Sequence, residues 1–311
     1  MTDTKTLGYL LAHDSNYGNF QHKVDFDDKN LIIDGKPIPV FAEKDPAALP
    51  WKSLGVDVVI ESTGRFTTGE AARAHIKAGA KKVVISAPSK SDDVKTIVIG
   101  ANDEELKDAG DVISNASCTT NSVAAVMDIL DREFGVEKAM LTTVHSDTAS
   151  QTLTDSPAKD LREGRAAAHN IVPTTTGAAI AVAKTVPNLV GKFDGLSVRV
   201  PTPVVSLSDV TMVLKTSTSK EAINDTLTKA SHEPYYQGII AVSSEPLVST
   251  DYIGNPNSGI VDLELTNVVA GNLAKVVVWY DNEWGYSNRL VELVADTGKL
   301  INKTGEDKPQ E

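Results

Sequence analysis

The sequence predicts an α/β protein of two units: a parallel sheet covered by helices, then an α+β unit with a mixed or antiparallel sheet. Three observations carry this. The chain has 311 residues, and at roughly 150 residues per domain that corresponds to about two domains. Its first third alternates short, nearly continuous Val/Ile runs with helical patterns, as parallel strands buried on both faces do. Near Cys118 the rhythm changes and longer strands follow, so the main boundary falls just before Cys118.

The elements follow in order. Thr4–Ala12 has a helical pattern, and Ile38–Phe41 reads as a short strand. Val56–Glu61 is a buried strand, and residues 67–78 form a helix that Gly79 stops. Lys82–Ser86, Thr96–Ile99 and Asp111–Ser114 are further strands. A helix over Cys118–Phe134 places Val123, Val126, Met127, Leu130 and Phe134 on one face, and Gly135 ends it. Met140–His145 is a strand, and residues 146–176 are an irregular, polar segment too long for a plain connector. Gly177–Val186 is helical and ends before Pro187. Strands follow at Leu196–Val200, Val204–Lys215, Ile239–Ser243, Val261–Leu265 and Lys275–Tyr280, with a helix at Lys220–Ser231. A last helix runs from Trp284 to about Leu300, and the end, NKTGEDKPQE, reads as a solvated tail.

Composition narrows the function. Lys and Arg total 30 against 42 Asp and Glu, a net charge of −12. So acidic a chain is a poor general binder of nucleic acid or anionic membrane. No apolar run approaches the ~20 residues that span a bilayer, and MTDTKTLGYLL lacks the pattern of a secretory signal. The expected compartment is the cytoplasm. A single cysteine excludes an intrachain disulfide and a cysteine-cluster zinc site. His13, His22, His75, His169 and His232 show no metal-ligand spacing and are read as surface or satisfied residues.

A lone cysteine is ordinarily a small buried hydrophobe, but the setting of Cys118 points elsewhere. The octet Ser114-Asn115-Ala116-Ser117-Cys118-Thr119-Thr120-Asn121 sits at a strand-to-helix junction. This puts Cys118 in a helical first turn, where free N–H groups and the helix dipole favour a thiolate. His145 ends the next strand and is either satisfied by backbone or paired with Cys118 as its base. Arg199 reads as a salt-bridging strand residue or an anion ligand, and Ser117 and Thr119 read as helix caps.

SNASCTTN, TTVH, PTTTGAA, RVPTP and WYDNEWGYSNR, in this order and with 27 positions from Cys118 to His145, resemble the phosphorylating glyceraldehyde-3-phosphate dehydrogenase family. The resemblance runs from about residue 2 to about residue 300. It implies that Cys118 attacks the substrate aldehyde, that His145 is its base, and that hydride leaves for NAD to give a thioester. Inorganic phosphate then releases an acyl phosphate. It also implies a substrate-phosphate site at Thr148 and Arg199, and an attacking-phosphate site at Ser117, Thr119, Thr176 and Gly177. Glu163 stands where some members carry an Arg, and a carboxylate there would repel phosphate. Asn282 and Tyr286 resemble residues flanking the nicotinamide; Ser62, Thr63, Gly64 and Ser86 resemble the lining of the cofactor cleft. Pro157, beside Ser156 in the loop that faces a neighbouring subunit in the family, favours NAD, with NADP the alternative.

The resemblance makes the first unit a Rossmann-type dinucleotide-binding domain over residues 1–117. The catalytic domain spans 118–283, and residues 284–311 form a C-terminal helix and tail packed back on the first domain. The family usually opens with a strand, a glycine-rich turn and a helix of ~30 residues that cradle the pyrophosphate; the sequence has no such turn, and residues 1–17 contain only Gly8. The expectation is a truncated domain, with Met1 an internal methionine of a longer protein, and weakened cofactor binding. The implied partners are glyceraldehyde 3-phosphate, inorganic phosphate and three further copies in a homotetramer, with no membrane and no nucleic acid. The competing functions are an erythrose-4-phosphate dehydrogenase, a cofactor-impaired non-catalytic subunit, and a cysteine acyl-transfer enzyme without redox chemistry.

Overall fold

The computed structural model describes residues 2–306. It opens with α1 (Thr4–Ala12), whose N-cap Asp3 accepts the Thr6 N–H. Two small antiparallel sheets follow: β1 (His13–Asp14) with β2 (Gly18–Asn19), and β3 (Val24–Phe26), β4 (Asn30–Ile33) and β5 (Lys36–Pro39). Of these, only the last was legible, and it lies over Lys36–Pro39 rather than Ile38–Phe41. Strands of two to four residues leave too little alternation to read. The Asp34-Gly35 turn between β4 and β5, with both residues at positive φ, is a hairpin signal that could have revealed them.

Then come α2 (Trp51–Leu54), β6 (Val58–Glu61), α3 (Gly69–Ala72), α4 (Ala74–Lys77), β7 (Lys82–Ile85), β8 (Lys95–Thr96) and β9 (Val112–Ser114). The helix expected over 67–78 is two short ones, because Thr68 caps the first at Ala71 and Arg73 makes a turn between them (ψ −7°). Gly79 does end the second; at φ 110° a Cβ there would meet the Lys52 backbone at 2.7 Å. The strand expected at Thr96–Ile99 stops at Thr96. The Asn102 side chain accepts the Val98 N–H and donates to the Thr96 carbonyl, replacing ladder bonds beyond Ile97. The four strands form a parallel sheet in the order β6-β7-β9-β8. Its two faces are sealed separately, one by Ala72 and Val94 on Val83, Ile85 and Val112, the other by Leu106, Leu290 and Leu293 on Val84 and Ile113.

The second half begins with α5 (Cys118–Phe134) and continues through β10 (Val136–Ser146), β11 (Val172–Thr175), α6 (Ala178–Thr185), β12 (Phe193–Val200), β13 (Ser206–Leu214), α7 (Lys220–Ser231), β14 (Ile240–Ser243), β15 (Gly259–Asp262), β16 (Asn267–Val269), β17 (Leu273–Tyr280) and α8 (Trp284–Glu306). Eight strands make one mixed sheet, ordered β11-β12-β10-β13-β17-β15-β14 with β16 also on β17. The β10–β12 and β14–β15 pairs are parallel and the others antiparallel. The segment 146–176 is not irregular throughout: it holds a 3-10 turn (Ala167–His169) and β11, which pairs with β12 despite Pro173 because it is an edge strand. Residues Val123, Val126, Met127 and Leu130 of α5 are buried against Leu141, Val210, Met212, Val276 and Val278, while Phe134 is partly buried there. Burying each such side chain contributes about 1.5–3 kcal/mol.

The last helix outruns its expected end at Leu300 and continues to Glu306; the remainder of the expected tail, 307–311, lies outside the described residues. Its Leu290 and Leu293 return to the parallel sheet. Replacing fully buried Leu293 with Ala should lower stability by about 2–5 kcal/mol through lost burial and an unfilled cavity. Chemical denaturation followed by circular dichroism checks this, and an unchanged midpoint would mean that α8 does not seal the sheet.

Candidate active site

Parallel register determines where the cleft forms. Glu61, Ile85 and Ser114 are cross-strand partners at the ends of β6, β7 and β9. The residues that follow, Ser62–Gly64, Ser86 and Asn115–Cys118, therefore leave the sheet along one edge, its carboxyl end, where open α/β sheets bind ligands. Ser62, Thr63 and Gly64 are exposed and Ser86 is half-buried. After β9 the chain turns at Ala116 (φ 56°). Ser117 then caps α5, its Oγ accepting the Thr120 N–H at 3.1 Å, so Cys118 occupies the first turn.

His145 comes from β10 and lies beside Arg199 of β12 in register. Its Nδ1–H donates to the Ser146 carbonyl at 2.8 Å. A carbonyl only accepts, so the lone pair is left on Nε2, which faces Cys118 Sγ at 3.5 Å. Burial penalises either charge alone: it raises the Cys118 thiol, against the Thr119 backbone and Arg199, which lower it. Burial, with Arg199, lowers the His145 imidazole to about 4. Burial thus opposes the thiolate that the helix start favours. One proton passing from Sγ to Nε2 creates both charges together, and their attraction offsets what each loses by burial.

Arg199 is half-buried, donates only a long 3.4 Å bond to the Ser146 carbonyl, and has no ion pair among the described residues. Its Nε is buried without a partner. A guanidinium so placed beside the Cys–His pair is suited to an anion. Thr148 is turned into its own loop, bonding Ser150 and Gln151. Thr176 Oγ1 accepts the Ala178 N–H at 3.2 Å, and exposed Gly177 is the N-cap of α6. The Thr119 hydroxyl bonds the buried Tyr280 hydroxyl at 2.8 Å. Among the described residues no group of three or more His, Cys, Asp or Glu is arranged to hold a metal ion.

Asn282, just beyond β17, is nearly buried. Its Oδ1 accepts from Ser146 Oγ at 2.9 Å and from Ser206 Oγ at 3.0 Å. With its oxygen on the two hydroxyls, the NH2 is left to donate, which fits a carboxamide-bearing cofactor. Tyr286, in the first turn of α8, donates to the Ala116 carbonyl at 3.2 Å and ties that helix to the cysteine loop.

The family profile "Glyceraldehyde 3-phosphate dehydrogenase, NAD binding domain" matches residues 1–69, and "Glyceraldehyde 3-phosphate dehydrogenase, C-terminal domain" matches residues 117–282. A glyceraldehyde-3-phosphate dehydrogenase of Thermotoga maritima is 53% identical over 303 residues, covering 97% of this chain and 89% of the relative. One of Geobacillus stearothermophilus is 50% identical over 296 residues, 95% and 88% of the two chains. The chain belongs to the glyceraldehyde-3-phosphate dehydrogenase family. A further relative, from Mycobacterium avium, is 50% identical over 304 residues, 97% and 88% of the two chains.

Within this family member, one group at the site had no role assigned from sequence. Tyr280 is 1% exposed; its hydroxyl meets Thr119 and Thr143, each at 2.8 Å, and its ring stands edge-on to His145 at 6.0 Å. It lies within WYDNEWGYSNR, but a tyrosine ending a strand reads as ordinary core. Glu163, read as a repelling charge, accepts the Thr174 hydroxyl at 2.6 Å.

The paired geometry makes a pH prediction. With imidazole at 3.5 Å, deprotonation of Cys118 leaves a cation beside the thiolate; without it, burial alone acts and raises the thiol. In His145→Asn the iodoacetamide reaction should therefore rise with pH at a midpoint about one unit or more higher than in the unsubstituted protein. Coincident profiles would mean that the two groups do not share a proton.

Proposed function

We propose that this chain catalyses the oxidative phosphorylation of D-glyceraldehyde 3-phosphate to 1,3-bisphosphoglycerate, with NAD and inorganic phosphate. The observation that carries this is Cys118 Sγ facing the free Nε2 of His145 at 3.5 Å, beside a guanidinium without an ion pair among the described residues. Residues 1–117 serve as the cofactor domain, 118–283 as the catalytic domain, and α8 from Trp284 packs back on the first; the end of that third segment, 307–311, lies outside the described residues.

The chemistry follows from the side chains. His145 Nε2 takes the Cys118 proton as sulfur attacks the aldehyde carbon and returns it to the oxyanion so formed, giving a hemithioacetal and a neutral imidazole. Arg199 and Thr148 hold the substrate phosphate. Bound NAD supplies the hydride acceptor. As the carbon is oxidised, His145 accepts the hydroxyl proton and a thioester remains on Cys118. Phosphate, held by Ser117, Thr176, Gly177 and the Thr119 backbone N–H, attacks that thioester and releases the acyl phosphate and the thiol. Asn282 orients the nicotinamide through its free NH2, with Tyr286 beside it, while Ser62, Thr63, Gly64 and Ser86 line the remaining cleft. These 311 residues hold no glycine-rich turn for the pyrophosphate.

The finer readings belong to the same proposal: a cytoplasmic homotetramer, with NAD preferred over NADP. The exposed apolar residues Met140, Ile180 and Val190 line one groove on the large sheet, which supports coverage by a second subunit. Among the described residues no helix is long and apolar enough to cross a membrane.

NADH formation with glyceraldehyde 3-phosphate and phosphate, over a wide range of NAD, tests the function. Cys118→Ser should lower turnover at least about a thousandfold. Arg199→Gln should raise the aldehyde KM about ten- to a hundredfold, the loss of a charged hydrogen bond. Erythrose 4-phosphate used in preference would move the assignment to that aldehyde. Absence of NADH at every NAD level, with Cys118 still alkylated in folded protein, would make this a non-catalytic subunit. Ester hydrolysis without NAD would make it an acyl-transfer enzyme.

A further inference from the structure

Glu61, the last residue of β6, is a carboxylate with 2% exposure, and the chemistry above makes no use of it. Buried carboxylates persist only when their oxygens are satisfied. Oε1 of Glu61 accepts the Thr63 N–H at 2.8 Å and the Thr63 hydroxyl. Oε2 accepts from His75 Nε2 of α4 at 2.9 Å. His75, itself 5% exposed, accepts the Trp51 Nε1–H at its Nδ1, 3.0 Å away. An indole nitrogen only donates, so Nδ1 carries the lone pair and Nε2 the proton. The chain of bonds runs one way: Trp51 to His75 to Glu61, with a neutral imidazole between an indole and a carboxylate. Burial raises the Glu61 carboxyl, but the bonds from His75 and Thr63 outweigh it and hold the group below its ordinary range.

The far end of this chain is not core. Thr63 is exposed, and its hydroxyl, having donated to Glu61, accepts the Arg65 N–H at 3.2 Å across Gly64, which sits at φ 71°. One buried carboxylate therefore fixes both the backbone and the side chain of the Ser62–Gly64 turn, and two residues from α2 and α4 fix the carboxylate. A turn that needed only to connect β6 to α3 would not require that support.

We propose that Trp51, His75 and Glu61 are positioning residues that hold the Ser62–Gly64 turn in the shape that receives the dinucleotide. This rests on the reading of that turn as cofactor-lining, so the test has two readouts, only one of which needs NAD. The first is amide hydrogen exchange at 62–65 in the full chain. The second is NAD affinity by calorimetry. His75→Leu should speed exchange at 62–65 and weaken NAD about fivefold or more, the worth of one hydrogen bond, while exchange in β10 stays unchanged. His75→Gln, whose amide can accept from the indole and donate to Glu61, should keep both readouts within about twofold of the starting protein. Trp51→Phe should fall between them. Where His75→Leu fails to fold, Thr63→Val removes only the exposed hydroxyl and should move both readouts in the same direction. The proposal is overturned if His75→Leu, or Thr63→Val in its place, leaves exchange at 62–65 unchanged, or if His75→Gln loses as much as His75→Leu. Faster exchange in a protein that binds no NAD would uphold the relay and sink the cofactor reading of the turn.

Discussion

Ser117 accepts the Thr120 N–H, and that one capping bond determines where α5 begins. Upstream, the backbone reaches it through Ala116 in the left-handed region, a conformation that costs a non-glycine residue on the order of 1 kcal/mol. Downstream, the helix is buried along almost its whole first three turns, so its position cannot drift. Cys118 inherits both constraints. Its distance to His145 is set not by the two residues but by the packing of α5 on β10 and its neighbours.

Around that point the two sheets divide the work. The parallel sheet ends three strands in register and leaves loops at one edge. The mixed sheet brings His145 and Arg199 side by side on parallel strands, and Tyr280 beneath them. The link between the sheets is partly side-chain made: Tyr286 bonds the Ala116 carbonyl, and Asn282 is held by Ser146 and Ser206. A shift of either sheet against the other would disturb the thiol loop and the amide together. The buried Trp51–His75–Glu61 chain extends the same logic to the outer cleft. There, groups without chemical roles fix the geometry of an exposed turn.

Polar burial is the recurring cost of this design. Tyr280, Thr119 and Thr143 share hydroxyl bonds in the core, and among the described residues the buried Asn115 carboxamide makes no hydrogen bond of normal geometry. An unsatisfied buried amide costs about 1–3 kcal/mol. Asn115 lies in the loop that leads to Cys118, where the site's polarity conflicts with close packing.

Periodicity and motif alone determined much of this protein. The parallel runs at 58–61, 82–85 and 112–114 were legible as near-continuous Val/Ile stretches, and the helix from Cys118 to Phe134 and the strand carrying His145 because each has enough residues for its apolar period to show. The pairing of Cys118 with His145 was foreshadowed by a strand–helix–strand order and a family resemblance. Tertiary structure decided the rest. The small sheets of residues 13–39 carry too few residues per strand for a period, and β11 exists only because β12 offers it an edge. The Thr119 hydroxyl, readable as a cap or an anion ligand, turns inward because Tyr280 from a strand 161 positions away supplies its partner. His75 read as one unremarkable histidine among several, since a hydrogen-bond chain joining residues 51, 61 and 75 has no signature in a linear pattern. Local order can be read along the chain because it arises from neighbours in sequence; the ionisation and orientation of a buried group arise from neighbours in space.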